Sequence, residues 1–170
     1  MTTPTQHEHK SHAPDSIGCM VMTCSDTRTP ETDTSGQLIQ KLLKDQGYNV
    51  ALYHVVKDEP AQILFRIAQG TANNAIQAII INGGTGISRR DSTFEAVDAM
   101  LEKRLSGFGE IFRLLTYQEI GSSAIMSRAT AGIVKGRILF SIPGSENAVR
   151  LAMQKLILPE LGHLVGELAK

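Results

Sequence analysis

The chain contains no tryptophan, only three tyrosines and five phenylalanines, and its aromatic fraction is 5%. That poverty argues against a site that grips a flavin or nicotinamide by stacking on large rings. Cysteine is equally scarce. Cys19 and Cys24 make neither a disulfide framework nor a Cys-x-x-Cys pair, so a reducing, cytoplasmic setting is the simplest expectation. An excess of charge is missing too, since 17 Lys+Arg balance 17 Asp+Glu and the pI is near 7.0. A surface built as a whole to hold nucleic acid is thereby disfavoured, although local basic spots can still bind small anions. The longest apolar run, around Ala78–Ile81, is far too short to span a bilayer. The N-terminal stretch MTTPTQHEHKSHAPDS is polar and lacks the apolar centre of an export signal.

What is present is ordinary for a soluble globular chain: 42% hydrophobic and 20% charged residues over 170 positions. A chain of this length buries roughly 70% of its unfolded surface in one core, so a single domain over 17–170 is expected. Residues 1–16 show no apolar periodicity and read as a flexible tail. His7, His9 and His12 have a spacing that can catch a metal, but nothing apolar would hold them in fixed geometry.

From Ile17 onward, apolar runs alternate with helical periodicities. Cys19–Thr23, Val50–Val56 and Ala78–Asn82 read as strands, the last nearly continuous in Ile, as suits a parallel strand covered on both faces. Between them, Leu38, Ile39, Leu42 and Leu43 share one helical face, and Ile63, Leu64, Ile67 and Ala68 another. Gly47 and Gly70 are expected at the C-terminal ends of these helices. The resulting βαβαβ order implies right-handed crossovers and a parallel sheet. A helix after Asp91 carries Phe94, Val97, Met100 and Leu101. Gly107 and Gly109 are expected to break the chain before a helix with Ile111, Phe112 and Leu115. Ala129–Val134 and Arg137–Ile142 read as strands joined by Lys135-Gly136, which adds one antiparallel strand. Helices through Ala148–Leu156 and from Pro159 to Leu168 close the chain.

In such sheets ligands bind beyond the carboxyl ends of the strands. Ser25-Asp26-Thr27-Arg28, Lys57-Asp58-Glu59, Gly83-Gly84-Thr85-Gly86 and Pro143-Gly144-Ser145 all follow predicted strands. Glycines directly after a strand let backbone N–H groups approach an anion. Arg89 and Arg90 can add fixed charge, and Ser92 and Glu95 have capping-box spacing at the next helix. The loop is not a Walker loop, because no Lys follows the glycines. Nor is it the dinucleotide fingerprint, because Arg89 stands where the third glycine belongs. Asp58 and Asp91 each suit a helix N-cap, and equally suit Mg²⁺, which takes one or two carboxylates and completes its shell with water and phosphate. Ser25 to Arg28 can cap a loop or contact substrate. His54 and His163 lack partners at ligand spacing and read as structural, and Cys19 and Cys24 read as small buried hydrophobes.

Together these pieces resemble the MoaB/Mog family of molybdenum cofactor biosynthesis proteins. Ser25-Asp26-Thr27-Arg28, Asp33-Thr34-Ser35-Gly36, Asp58-Glu59, Gly83 to Gly86 with Arg90-Asp91 and Thr93, Gly107-Phe108-Gly109-Glu110, Ser127-Arg128, Pro143-Gly144-Ser145 and Leu158 to Leu161 carry the likeness. It extends from Ile17 to His163. The resemblance implies a three-layer α/β/α fold with a mostly parallel sheet, assembled as a trimer or hexamer. It also implies Mg²⁺-dependent adenylyl transfer from ATP to the terminal phosphate of molybdopterin, ahead of molybdate insertion. On that basis Asp58 and Asp91 are the expected catalytic and metal-binding acids. Ser25, Asp26, Arg28, Gly83, Gly84, Thr85, Gly86, Arg90, Pro143, Gly144 and Ser145 are the expected ligand contacts. The alternative is a non-catalytic molybdopterin-binding or carrier protein that uses the same cleft. Neither nucleic acid nor a membrane is an expected partner.

Overall fold

A computed structural model describes residues 16–89 and 91–170. The expected tail, apart from Ser16, and with it His7, His9 and His12, lies outside the described residues, as does Arg90. The described residues form a six-stranded sheet in the order β2-β1-β3-β6-β5-β4. Its strands are β1 (Gly18–Cys24), β2 (Asn49–Val56), β3 (Ala78–Asn82), β4 (Lys103–Arg104), β5 (Thr130–Val134) and β6 (Arg137–Ile142). β2, β1, β3 and β6 run parallel, whereas β5 is antiparallel to both of its neighbours. The two-residue β4 has too little apolar content to be read from sequence. It exists because Arg104 and Lys103 pair with Gly132 and Ile133 at the sheet's edge.

Alternation along the strands sorts the core into two layers. Ala78 and Ile80 of β3 face one side, with Cys19, Val21 and Phe140. That side is covered by α1 (Thr34–Asp45), α4 (Ser106–Ile120), α5 (Glu146–Ala152) and α6 (Leu158–Leu168). Ile79 and Ile81 face the other, with Met20, Met22 and Leu139, beneath α2 (Pro60–Ala72) and α3 (Thr93–Met100). The result is the expected α/β/α sandwich. The uninterrupted Ile run of β3 reflects burial on both faces.

Local chemistry accounts for the element ends, with three corrections. Asp33 caps α1 by accepting from the Gly36 N–H at 3.0 Å, and Gly47 follows α1 at φ +82°. Lys135 and Gly136 both have positive φ, as a tight hairpin turn between β5 and β6 requires. Gly70, however, does not end its helix. It lies inside α2, where a Cβ would sit 2.6 Å from Met20 Sδ, so it is there for close helix–sheet packing. Gly107 and Gly109 likewise fall within α4, and Gly109 lets the helix approach the Ala129 carbonyl. Pro159 stands in the first turn of α6, as expected, but that helix is not separate from α5. A π-helical turn, Met153–Ile157, joins α5 to α6, and the Leu158 N–H reaches the Met153 carbonyl. The wide turn precedes a residue that has no N–H to give, which suits a proline inside a continuing helix.

Candidate functional site

Three of the four polar segments line a cleft of about 520 Å³ at the carboxyl end of the sheet, whereas the fourth, Lys57-Asp58-Glu59, does not line it and Asp58 instead lies beside Gly84. β1 leads into Ser25 and Arg28, β3 into Gly83 to Gly86, and β6 into Pro143 to Ser145. Asp91 closes the rim. Among the expected contacts, Asp26 does not line the cleft. Its carboxylate instead accepts from the Asp58 N–H at 3.3 Å, tying the loops after β1 and β2 together. Arg89 is exposed and does not line the cleft.

The glycine loop is shaped by steric necessity. Gly83 and Gly84 have φ of +95° and +60°, and a Cβ on either would collide, with the Cys24 carbonyl or with Thr93 and Asp58 respectively. The Gly83 N–H is used by the Ile142 carbonyl at 3.0 Å. Among the described residues, the N–H groups of Gly84, Thr85, Gly86 and Ile87 donate to no backbone or side-chain acceptor. Such consecutive unbonded amides, of which Gly84, Thr85 and Gly86 line the cleft, are a candidate anion site. Gly144 packs directly on Gly83, where a Cβ would sit 3.0 Å from its Cα. Ser35 at the start of α1 holds the Gly144 carbonyl at 2.8 Å, and Ser145 caps α5 through the Ala148 N–H.

Asp58 and Asp91 do not cap the helices they precede. α2 begins after Glu59 and α3 after Ser92, neither with a side-chain cap, so the Ser92–Glu95 capping box does not form. Asp58 reaches across instead. Its Oδ1 accepts from Ser92 N, Ser92 Oγ and Thr93 Oγ1 at 3.0–3.2 Å, capping α3 from another loop. Asp91 Oδ2 accepts from the N–H and hydroxyl of Ser88 and braces the loop below Gly86. Asp58 Oδ2 and Asp91 Oδ1 have no hydrogen-bond donor among the described residues. One hard oxygen thus remains on each acid. Each is a hard oxygen of the kind Mg²⁺ takes, that of Asp91 on the cleft lining and that of Asp58 beside Gly84. No group of three His, Cys, Asp or Glu side chains able to enclose a metal occurs among the described residues.

Beneath the floor lies a buried polar network that sequence reading missed. Asp33 is fully buried and accepts from Thr23 Oγ1, Tyr53 Oη at 2.7 Å and Arg28 Nη1 at 3.2 Å. The network orients Arg28, the cleft-lining cation, and raises the Tyr53 hydroxyl's pKa through burial and then the Asp33 hydrogen bond. Asn82, also fully buried, gives its amide to Thr23 Oγ1 at 2.8 Å. Polar residues at strand ends (Thr23, Asn82) were the available signal. Cys24 lines the cleft as well. Burial pushes its thiol up to about 12, with a further rise from the Asp58 charge against a Thr93 hydrogen bond that lowers it. It is therefore a neutral, unreactive wall. His163 has carboxylate neighbours after all, Glu160 at 3.4 Å and Glu167 at 3.7 Å, because one helical turn brings them alongside. His54 keeps a structural place on β2, and burial, then Arg66, lowers its pKa.

An α/β/α sheet with a glycine-loop cleft at the carboxyl ends of its parallel strands defines an open α/β ligand-binding class. Residues 20–163 match the family described as "Probable molybdopterin binding domain". The molybdenum cofactor biosynthesis protein B of Bacillus subtilis is 52% identical over 164 residues, covering 96% of each chain. That of Staphylococcus aureus is 46% identical over 157 residues, covering 91% of this chain and 93% of its own. A crystal structure of a molybdenum cofactor biosynthesis protein B superposes with a TM-score of 0.89 at 51% identity, covering 92% of this chain and 98% of that one. The tungsten cofactor synthesizing protein MoaB from Pyrococcus furiosus gives 0.83 at 34% identity, covering 93% and 100%. The chain belongs to the MoaB/Mog family of molybdenum cofactor biosynthesis proteins.

Proposed function

We propose that the cleft catalyses adenylyl transfer from ATP to the terminal phosphate of molybdopterin. The observation that carries this reading is the run of unbonded amides from Gly84 to Ile87, with Arg28 across the same cleft. A pterin phosphate is already an oxyanion, so no strong nucleophile has to be generated. Its oxygen attacks the α-phosphorus of ATP, a P–O bond forms, and pyrophosphate departs with the electrons of the broken bond. The protein's task is to align two repelling anions and offer fixed positive dipoles where charge develops. The loop amides do so without reorganising, because Gly83 packs against Gly144 and Asp91 braces the loop from below. Asp58 and Asp91 would hold Mg²⁺, which supplies charge neutralisation on the phosphate oxygens when bound. Ser25, Gly144 and Ser145, from two other loops, border the same space and select the ligand's shape.

The chain acts as a homo-oligomer, a trimer or hexamer. Phe112 and Leu115 of α4 pack into the core. Their neighbours Ile111, Leu114, Tyr117 and Ile120 make the exposed stripe of α4, and Ile125 beyond it is 85% exposed. Such a stripe suits a second copy of the chain.

The test is pyrophosphate release from ATP, with and without molybdopterin and Mg²⁺. Release that requires all three components supports the transferase. A carrier is the second reading, favoured by the hydrogen bonds from Ser92 and Ser88 that engage one oxygen of Asp58 and one of Asp91 in holding the loops. Tight pterin binding with no pyrophosphate release establishes the carrier and overturns the transferase.

A further inference from the structure

Arg128 stands behind the glycine loop rather than in the cleft. It follows the segment Gly121–Met126, a 3₁₀ helix after α4, and its side chain is three-quarters buried. Its guanidinium is fully committed. Nε donates to the Thr85 carbonyl at 2.8 Å, Nη2 donates to the Gly86 carbonyl, and Nη1 pairs with the Glu95 carboxylate of α3. The guanidinium carbon lies 4.8 Å from the centre of the Phe94 ring, so the plane is held on its face as well. The Arg128 charge and hydrogen bond hold the Glu95 carboxyl below its ordinary range.

A surface ion pair would need only one of these contacts. The two to backbone carbonyls have a different consequence. In a trans peptide the C=O of one residue and the N–H of the next point in opposite directions. Drawing the Thr85 and Gly86 carbonyls onto Arg128 therefore turns the N–H groups of Gly86 and Ile87 away from it. Thr85 and Gly86 line the cleft, and Arg128 does not. Those two N–H groups are among the four that find no acceptor among the described residues. Gly86, which has no Cβ, lies between the two peptide planes that carry these amides and restrains their rotation least, so their direction has to be imposed from outside.

We infer that Arg128 is the positioning residue of the phosphate cradle, the side chain that sets two of its four amide donors toward a phosphate or pyrophosphate group. It touches no reacting atom. This rests on the reading of the Gly84–Ile87 amides as an anion site. The role asks for a planar fork rather than a charge. A guanidinium can serve two adjacent carbonyls and a carboxylate together, whereas a lysine ammonium cannot reproduce that geometry.

The test follows the backbone amide resonances of Gly84 to Ile87 while inorganic pyrophosphate is titrated into the full-length protein. In the wild type all four should shift with a common saturation curve. In Arg128→Lys, the Gly86 and Ile87 responses should be lost or reversed, those of Gly84 and Thr85 retained, and affinity reduced about tenfold, as for the loss of one or two donors. Arg128→Ala should behave likewise and recover on adding millimolar guanidinium, but not ammonium at equal ionic strength. A purely structural role would show no such selectivity between the two cations. If both variants shift Gly86 and Ile87 as the wild type does, the role of Arg128 is overturned while the amide cradle stands. If the wild-type loop does not respond at all, the cradle itself falls, and this inference with it.

Discussion

Asp58 meets two demands with two oxygens: Oδ1 caps α3, and Oδ2 remains open beside Gly84. Asparagine preserves the first and abolishes the anionic second. Asp58→Asn and Asp91→Asn should therefore change stability by no more than about 1 kcal/mol, since the Asn amide oxygen can still accept from Ser92 and Thr93 or from Ser88. Adenylyl transfer should fall by at least about a hundredfold, the scale of losing one transition-state stabiliser. Steady-state turnover beside thermal unfolding of both variants checks this, and wild-type turnover would leave loop hydrogen bonding as the whole role of the acids. Gly84→Ala tests the loop itself. Its φ of +60° and the lack of room beside Thr93 and Asp58 should together cost about 1–3 kcal/mol and weaken phosphate binding. Denaturant unfolding and pyrophosphate titration of the same variant measure the two effects. Tyr53→Phe removes one of several donors to the buried Asp33 carboxylate and should cost about 1–2 kcal/mol.

At the scale of elements, α3 is the part most dependent on contacts distant in sequence. Its N-terminus is capped by Asp58, and Arg128 pairs with its first turn. Near its C-terminus Asp98 accepts from Arg104 of β4 and from Thr130 of β5. The Arg104 hydrogen bond is the main reason that the Asp98 carboxyl titrates below its ordinary 3.8. A carboxyl whose pKa is lower folded than unfolded stabilises the fold above the unfolded value, and that contribution is lost as pH falls through the folded one. Urea midpoints of wild type and Asp98→Asn should thus differ at pH 6 and converge below about pH 3.8. A gap independent of pH would mean that packing, not charge, holds α3 to the sheet edge. β1, β2, β3, β5, β6 and α1 were legible because their apolar patterns are local. β4 was not, since two charged residues form a strand only where Gly132 and Ile133 offer a ladder. The Ser92–Glu95 pattern misled for the same kind of reason. Ser92 gives its hydroxyl to Asp58, a partner that spacing along the chain does not reveal.

At the scale of the whole molecule, the stripe of Ile111, Leu114, Tyr117 and Ile120 on α4 is an apolar surface that its own core does not cover. Light scattering at micromolar concentration should give a mass of three or six chains. Leu114→Glu with Tyr117→Glu should shift it to the monomer without unfolding the sheet, because neither side chain belongs to the buried core. A wild type that is monomeric throughout removes the oligomer proposal. No helix among the described residues is long and apolar enough to cross a membrane.

Sequence alone determined the βαβαβ order, the strand ends that border the cleft, the loop glycines and the position of an acid ahead of each of two helices. Each is written in local spacing: alternation, helical period, glycine after a strand, acid before a helix. Tertiary structure decided how those residues are used. Asp58 caps a helix 34 residues away, Arg128 holds a loop 43 residues back, and Asp33 gathers Thr23, Tyr53 and Arg28 under the cleft. Hydrogen-bond partners across strands are chosen by which loops the sheet brings together. Sheet order, β2-β1-β3-β6, depends on nonlocal pairing energies that no window of sequence contains.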